Sequence, residues 1–229
     1  MGGKFITFEG GEGSGKSTQA RLLAEHLRQT GLIVVETREP GGSPFAERVR
    51  ALILDPGTPR HGALAEALLF NAARSDHLDA VIRPALALGQ WVVCDRFTDS
   101  TRVYQGTAGG LDAVTLDALE RLVVGSTTPD LTFLLDIDPA DGLQRAHLRR
   151  DAAASGPAEA VAAPTAAAPN PAPDTYEARG LAFHAKLASG FRALAADARH
   201  RFEVMDASQP VDVLARQIRE ALARRLGAP

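Results

Sequence analysis

Short apolar runs alternate with longer amphipathic stretches along the chain, and this alternation predicts the fold. The runs are β-branched or aromatic and do not alternate cleanly with polar positions, which is typical of strands buried on both faces. They are Phe5–Phe8, Ile33–Val35, Trp91–Cys94, Leu131–Leu135 and Phe202–Met205. Helices are predicted near 16–30, 44–54, 63–88, 112–123, 139–150, 176–198 and 211–226, and Pro84 is expected to kink or split the third. We therefore expect an α/β domain with a parallel sheet and with ligands at the carboxyl ends of its strands.

One segment departs from this pattern. Residues 151–173 contain 11 alanines and 5 prolines, with no large apolar side chain beyond Val161. Such a segment cannot bury a core, and its prolines prevent one continuous helix. The composition predicts a solvated, flexible insertion. The alternative, a mobile flap over an active site, depends on the neighbouring residues rather than on the segment itself.

Composition and charge exclude several classes of protein. The chain has 229 residues, 45% hydrophobic and 23% charged, which excludes a mainly disordered or collagen-like chain. Its 25 basic and 28 acidic residues include no run of Lys or Arg, so we expect no nucleic-acid partner. No apolar run approaches the roughly 18 residues of a membrane span, and no signal peptide is recognisable, so no membrane partner is expected. Cys94 is the single cysteine, which excludes an intrachain disulfide and fits a reducing, cytoplasmic compartment.

A glycine-rich segment after the first predicted strand carries the clearest chemistry. Its residues fit the pattern G-x-x-x-x-G-K-[ST] and are followed by a threonine; they are Gly10, Gly11, Glu12, Gly13, Ser14, Gly15, Lys16, Ser17 and Thr18. Glycines let backbone N–H groups wrap a phosphate, and the start of the next helix adds partial positive charge. Lys16 is expected to reach the β- and γ-phosphates, and the Ser17 hydroxyl can ligate Mg²⁺. The pattern predicts nucleotide binding but leaves the reaction open.

Two classes of protein share such a loop. One transfers a phosphoryl group to a small molecule, and the other is a nucleotide-dependent switch or motor. The guanine-reading pattern N-K-x-D does not occur in the chain, which counts against a GTPase switch.

Charged residues follow the third predicted strand. Asp95 falls at the carboxyl end of that strand, where a carboxylate can hold Mg²⁺ or orient a nucleophile. Arg96 can hold a phosphate through its guanidinium, although a purely structural Asp–Arg pair is the alternative. Phe70 and Arg74 lie four residues apart on one helix face, so an aromatic ring could stack on a base while the guanidinium bonds its edge. Core packing is the alternative for Phe70.

Taken together, these residues resemble the bacterial thymidylate kinase family. The resemblance rests on FEGGEGSGKST, TREPGG, LLFNAAR, CDRFTDSTRVYQG, PDLTFLLDI and VMDASQPVDV, which extend over nearly the whole chain. It implies a P-loop kinase fold with a five-stranded parallel sheet wrapped by helices, a single domain over 1–229, and a lid region at 148–180. It also implies phosphorylation of dTMP to dTDP with ATP and Mg²⁺, and a homodimer. Another nucleoside monophosphate kinase, or a P-loop switch, is the alternative.

The resemblance also implies roles for individual residues. The glycine-rich loop through Thr18, together with Ala207, would bind ATP, and Ser17 and Asp95 would serve the metal. The dTMP site would comprise Glu39, Arg50, Phe70, Arg74, Arg96, Ser100, Thr101, Tyr104 and Gln105. Catalysis would depend on Lys16, Asp95 and Arg96 and on an arginine from the lid.

The chain departs from the family at that arginine. Some members carry an arginine in the loop itself, where this chain has Gly13, and the others supply it from the lid, where this chain has Thr175. We expect Arg149 or Arg150, at the end of the preceding helix, to take its place. Arg179 after a lid shift, or a slower enzyme, is the alternative.

Overall fold

The computed structural model describes residues 2–59, 61–155, 176 and 179–227. Within these residues, five strands form one sheet in the order β2-β3-β1-β4-β5, and every pairing is parallel. The strands are β1 (Phe5–Glu9), β2 (Val34–Arg38), β3 (Trp91–Asp95), β4 (Leu131–Asp136) and β5 (Phe202–Asp206). The predicted parallel five-stranded sheet is therefore confirmed.

Each strand continues past the apolar run that predicted it. The added carboxyl-terminal residues are polar or charged: Glu9, Asp95, Asp136 and Asp206 each extend a strand by one position, and β2 runs on to Arg38. Backbone pairing continues through these positions, for example between Arg38 and Asp95. The rigid sheet thus carries charged side chains directly to the edge where ligands bind in parallel sheets.

The helices lie close to their predicted bounds: the expected break in the third is present, and three other features differ. They are α1 (Lys16–Gln29), α2 (Pro44–Leu54), α3 (Ala63–His77), α4 (Arg83–Ala87), α5 (Thr98–Thr101), α6 (Ala113–Val123), α7 (Pro139–Ser155), α8 (Leu181–Asp197) and α9 (Val211–Leu226). The predicted helix 63–88 is split by a π-helical segment, Leu78–Ile82, just before Pro84, which has no N–H to donate. Helix α5 and the π-helical segment Arg102–Ala108 lie outside the helices predicted from periodicity. Helix α7 extends to residue 155, so the first five residues of the 151–173 segment are helical, whereas α8 begins at 181 rather than 176.

Apolar clusters cover both faces of the sheet. On one face, Phe8 of β1 stacks with Phe133 of β4 at 5.3 Å between ring centroids, in a cluster that includes buried residues of α1 and α9. On the other, Phe191 of α8 packs with residues of α2 and of the segment after α5. Cys94 is buried in a third cluster, where burial raises the pKa of its thiol well above the usual value. This agrees with a packing role for Cys94 rather than a nucleophilic one.

Helix α2 begins with Pro44 after an N-cap serine: Ser43 accepts a hydrogen bond from the Ala46 N–H at 3.2 Å. This cap fixes the turn between β2 and α2 that borders the candidate site.

Among the described residues, no helix is both long and apolar enough to cross a membrane.

Candidate active site

A cavity of about 270 Å³ opens at the carboxyl edge of the sheet. Most of the residues predicted for the site line it: Glu12, Gly13, Gly15, Lys16, Ser17, Thr18, Glu39, Arg50, Phe70, Arg74, Asp95, Arg96, Ser100, Thr101, Tyr104, Gln105 and Arg149. Five do not line it: Gly10, Gly11, Ser14, Arg150 and Ala207. Residues far apart in sequence thus meet at one edge, as the fold class predicts.

The glycine-rich loop needs its glycines for two different reasons. Gly10, Gly13 and Gly15 all have positive φ, at 140°, 67° and 91°, a region that other residues adopt only with strain. At Gly13 there is also no room, because a Cβ there would lie 1.9 Å from the Gly142 carbonyl oxygen at the start of α7. The loop and α7 are therefore in direct backbone contact.

Lys16 lies folded over this loop. Its Nζ donates hydrogen bonds to the Gly11 carbonyl at 2.6 Å and to Ser14 Oγ at 3.3 Å. Burial, reinforced by the nearby charge of Arg96, lowers the pKa of Lys16 to about 8, although Glu12 and other carboxylates oppose this. The ammonium group is held where an anion in the loop would lie, and an added anion would favour its charged form.

Asp95 and Ser17 form the candidate metal site. Ser17 Oγ donates a 2.5 Å hydrogen bond to Asp95 Oδ2, whereas Asp95 Oδ1 is buried and has no hydrogen-bond partner in the described part of the chain. A buried carboxylate oxygen without a partner is costly unless something binds it. Magnesium fits this donor set, because in phosphoryl-transfer sites it takes one or two protein oxygens and completes its shell with phosphate oxygens and water. The described residues contain no group of three or more His, Cys, Asp or Glu suited to a metal, so phosphate oxygens would be needed.

Arg96 lies at the centre of the cavity in a strained backbone conformation, with φ of 70°. Its guanidinium donates to Glu12 Oε1 at 2.7 Å and to Ser100 Oγ at 3.1 Å, and it lies over the Tyr104 ring at 5.2 Å. Burial alone would raise the pKa of Glu12, but Arg96, Lys16 and the Tyr104 hydroxyl overcome it and lower that pKa to about 2. Glu12 and Arg96 therefore form a charged pair at neutral pH.

Glu9, which was not predicted as a site residue, is linked to Arg96 through the Ser100 hydroxyl. It accepts hydrogen bonds from the Phe97 N–H at 2.8 Å, from the Ser100 N–H at 3.2 Å and from Ser100 Oγ at 2.6 Å. Burial and the neighbouring Asp99 carboxylate raise the pKa of Glu9 to about 8. The one signal in the sequence was an acidic residue directly after an apolar strand.

The other half of the cavity suits a base. Arg74 is buried and donates to Glu39 Oε2 at 2.7 Å, to Thr101 Oγ1 at 3.0 Å and to the Phe97 carbonyl at 3.2 Å. Phe70 is partly buried on the same wall of α3. The predicted pairing of an aromatic ring with an arginine on one helix face is therefore present at the cavity wall.

Tyr176 closes the half of the cavity that suits a base, and no role was predicted for it. Its ring lies edge-on to Tyr104 at 5.3 Å and 6.3 Å from Phe70, and it lines the cavity with both. Arg179 does not line the cavity; its guanidinium lies over the rings of Tyr176 and Phe183, at 5.0 and 4.5 Å. The structure thus gives Arg179 a packing position rather than a place at the reacting groups.

The two arginines expected to replace the lid arginine differ in position. Arg149 lines the cavity, whereas Arg150 contacts His147 Nδ1 one helical turn back. Thr175 and residues 156–174 lie outside the described residues.

Helix α7 also borders the turn expected to contact ATP. Arg145 on this helix donates hydrogen bonds to the carbonyls of Ala207 at 2.7 Å and Ser208 at 3.2 Å.

Comparison with known proteins gives a consistent result. Residues 8–218 match the family model described as Thymidylate kinase. A curated relative with that name from Nitrobacter winogradskyi is 49% identical over 97% of this chain and 89% of its own length. Another from Rhodopseudomonas palustris (strain BisB18) is 48% identical over 98% of this chain and 90% of its own length. A crystal structure of thymidylate kinase from Ehrlichia chaffeensis matches with a TM-score of 0.71 at 32% identity, covering 97% of this chain and 99% of that one.

Proposed function

The chain belongs to the thymidylate kinase family, and we propose that the cavity at the carboxyl edge of its sheet brings ATP and dTMP together for direct phosphoryl transfer. The activity is phosphorylation of dTMP to dTDP with ATP as the donor. The observation that carries the assignment is that one cavity contains both a phosphate-binding loop and a second pocket of arginine and aromatic side chains. A nucleotide switch has no use for the second pocket.

The donor occupies the loop side. Backbone N–H groups of the loop and Lys16 Nζ bind the β- and γ-phosphates, and the turn at Ala207 borders the adenine. Ser17 and Asp95 Oδ1 would hold Mg²⁺, which neutralises phosphate charge when bound. Asp95 Oδ2 meanwhile continues to orient the Ser17 hydroxyl.

The acceptor occupies the other side. Phe70 stacks on the thymine, and Arg74, held by Glu39, bonds the base edge. Arg50 and Arg96 hold the dTMP phosphate, and the remaining wall is formed by Ser100, Thr101, Tyr104 and Gln105. An oxygen of this phosphate attacks the γ-phosphorus in line, its bond to phosphorus forms as the bond to the ADP oxygen breaks, and no covalent enzyme intermediate is needed. The protein contributes positioning and charge neutralisation.

Arg149 is proposed to supply the charge that the lid arginine gives elsewhere in the family. Support comes from its place in the cavity wall, which Arg150 and Arg179 do not share. An arginine in this role is worth about 10³–10⁵ in rate where it has been removed from related reactions.

We also propose that the protein is a cytoplasmic homodimer. The supporting observation is a set of exposed apolar side chains on three neighbouring helices: Phe45 and Leu52 on α2, Leu64 and Leu68 on α3, and Val114 and Leu122 on α6. An exposed apolar surface of this kind is typical of an interface between subunits. Analytical ultracentrifugation at micromolar concentration tests the oligomeric state, and a monomer would contradict the proposed dimer.

The single domain over 1–229 and the lid at 148–180 stay predictions, because most of 156–178 lies outside the described residues.

The decisive experiment follows ADP release from ATP and Mg²⁺ with and without dTMP. We expect turnover only with dTMP. We also expect dTMP alone to raise the melting temperature, since a ligand at 100 times its Kd adds about 2.7 kcal/mol of stability. Equal ADP release without dTMP would favour a switch, and turnover only with another monophosphate, such as dUMP, would reassign the acceptor.

A further inference from the structure

A buried polar chain connects the end of β2 to the proposed base pocket. Thr37 Oγ1 lies 2.7 Å from His77 Nε2, and His77 Nδ1 lies 3.2 Å from Glu39 Oε1. The other carboxylate oxygen, Glu39 Oε2, accepts the 2.7 Å hydrogen bond from Arg74 Nε. Glu39, Arg74 and His77 are all at least 95% buried. From the His77 imidazole to the guanidinium that faces the base, the chain is therefore shielded from solvent.

The geometry assigns the imidazole its hydrogens. A carboxylate paired with an arginine accepts hydrogen bonds and does not donate them, so Nδ1 of His77 carries the proton given to Glu39. Nε2 lies within hydrogen-bond distance of the Thr37 hydroxyl, which can act as donor or acceptor. Each polar atom of the imidazole has one partner of the correct kind.

The turn after β2 is shaped around this imidazole. A Cβ at Gly42 would lie 2.3 Å from His77 Nε2 and 2.5 Å from Thr37 Oγ1, and Gly42 has φ of 88°. Only glycine leaves the space and adopts that conformation without strain. The second glycine of the Glu39-Pro40-Gly41-Gly42 turn is thus required where the histidine and threonine meet.

We propose that His77 is a positioning residue for nucleoside recognition. By holding Glu39 Oε1, it prevents the carboxylate from rotating and keeps Oε2 aligned with Arg74, so that the guanidinium is presented to the base at a fixed angle. His77 does not line the cavity and would not touch the substrate. The proposal rests on the proposed function, because it gives Arg74 its role at the thymine.

Replacing His77 separates this role from simple packing. His77→Leu removes both hydrogen bonds at similar volume and leaves Glu39 Oε1 buried without its partner; His77→Asn restores a donor near the Nδ1 position. The matched control is Leu78→Ala, since Leu78 is the next residue, equally buried, packs in an apolar cluster and does not itself line the cavity. For each variant, calorimetry measures the Kd for dTMP and for a non-hydrolysable ATP analogue, and steady-state assays measure KM for dTMP and kcat.

We expect His77→Leu to weaken dTMP binding by about tenfold to a hundredfold, as for loss of a hydrogen bond to a buried charged group, with the ATP-analogue Kd unchanged. His77→Asn should recover dTMP affinity to within about threefold of the wild type. Leu78→Ala should lower the melting temperature and leave the dTMP Kd unchanged.

Two results would overturn the proposal: a folded His77→Leu with wild-type affinity for dTMP, or parallel losses for dTMP and the ATP analogue that track the melting temperature. If His77→Leu does not fold, His77→Asn is compared with His77→Gln, whose amide reaches the Nε2 position instead. Equal dTMP affinity in those two would refute the role of the Nδ1 contact. Failure of the function itself would appear separately, as absence of dTMP-dependent turnover in the wild type.

Discussion

Replacing Glu12 by glutamine tests the electrostatics of the loop. Glu12 is 17% exposed, and its pKa falls from an ordinary 4.5 to about 2 because Arg96 and Lys16 outweigh the effect of burial. At about 1.4 kcal/mol per pH unit, this difference is worth about 3 kcal/mol of folding free energy at neutral pH. Glutamine keeps an acceptor for Arg96 and Tyr104 but loses the charge. We therefore expect Glu12→Gln to lower the free energy of unfolding by about 2–3 kcal/mol at pH 7 and the melting temperature by about 5–10 °C.

The pH dependence separates charge from packing. A carboxyl group with a lowered pKa stabilises the fold above its unfolded value of 4.5 and loses that contribution as the pH falls toward 2. The advantage of the wild type should accordingly shrink by about 2 kcal/mol between pH 7 and pH 3. Urea unfolding of both proteins at each pH measures this, and Glu25→Gln is the control, because its ion pair with Arg21 is exposed and is expected to be worth less than about 0.5 kcal/mol. A difference between Glu12→Gln and wild type that is the same at pH 7 and pH 3 would refute the reasoning.

Three further substitutions test other parts of the site. Arg149→Ala should reduce kcat at least about a hundredfold, whereas Arg150→Ala should change it less than about threefold; equal losses in single-turnover assays would contradict the assignment. Asp95→Asn should raise the Mg²⁺ concentration for half-maximal activity about tenfold or more. Stability should change little, since Oδ1 has no partner to lose and the amide oxygen can still accept from Ser17. An unchanged Mg²⁺ titration would argue against metal binding there. In urea unfolding, Gly13→Ala should destabilise the fold by more than Gly15→Ala. Both positions have positive φ, which costs about 1–3 kcal/mol with alanine, but only at Gly13 would the added Cβ also overlap a backbone oxygen. Equal losses of stability would mean that the loop moves away from α7 easily.

The fold followed closely from apolar patterning, and its differences from prediction have local causes. The apolar runs alone stop short of the carboxyl ends of the strands, because backbone pairing continues through charged residues such as Asp95 and Asp136 that no hydrophobic pattern includes. The residues after β3 lie outside the helices predicted from periodicity, because α5 has four residues and continues as a π-helical segment of seven. Such short elements depend on tertiary contacts, here the Glu9 carboxylate beneath Phe97 and Ser100.

The candidate site was predicted best where a motif fixed the spacing of its residues. The loop, Asp95–Arg96 and the Phe70–Arg74 pair were all found from local sequence, and they line the cavity together, apart from Gly10, Gly11 and Ser14 of the loop. Glu9, Tyr176 and His77 were missed because their contacts join segments far apart in the chain. A single buried glutamate, tyrosine or histidine has no sequence period that distinguishes it from a surface residue, so only the folded structure reveals its partners.

The contact between Gly13 and Gly142 constrains how this enzyme could change over time. An arginine in the loop would arise from one substitution at Gly13, yet its Cβ would overlap the Gly142 carbonyl. The first turn of α7 would have to move before that substitution could be tolerated, and the same helix carries Arg145 and Arg149. A mutational path from one arginine placement to the other therefore begins with a change in helix docking that brings no immediate catalytic gain. A single substitution in the loop is therefore sterically coupled to the position of a whole helix.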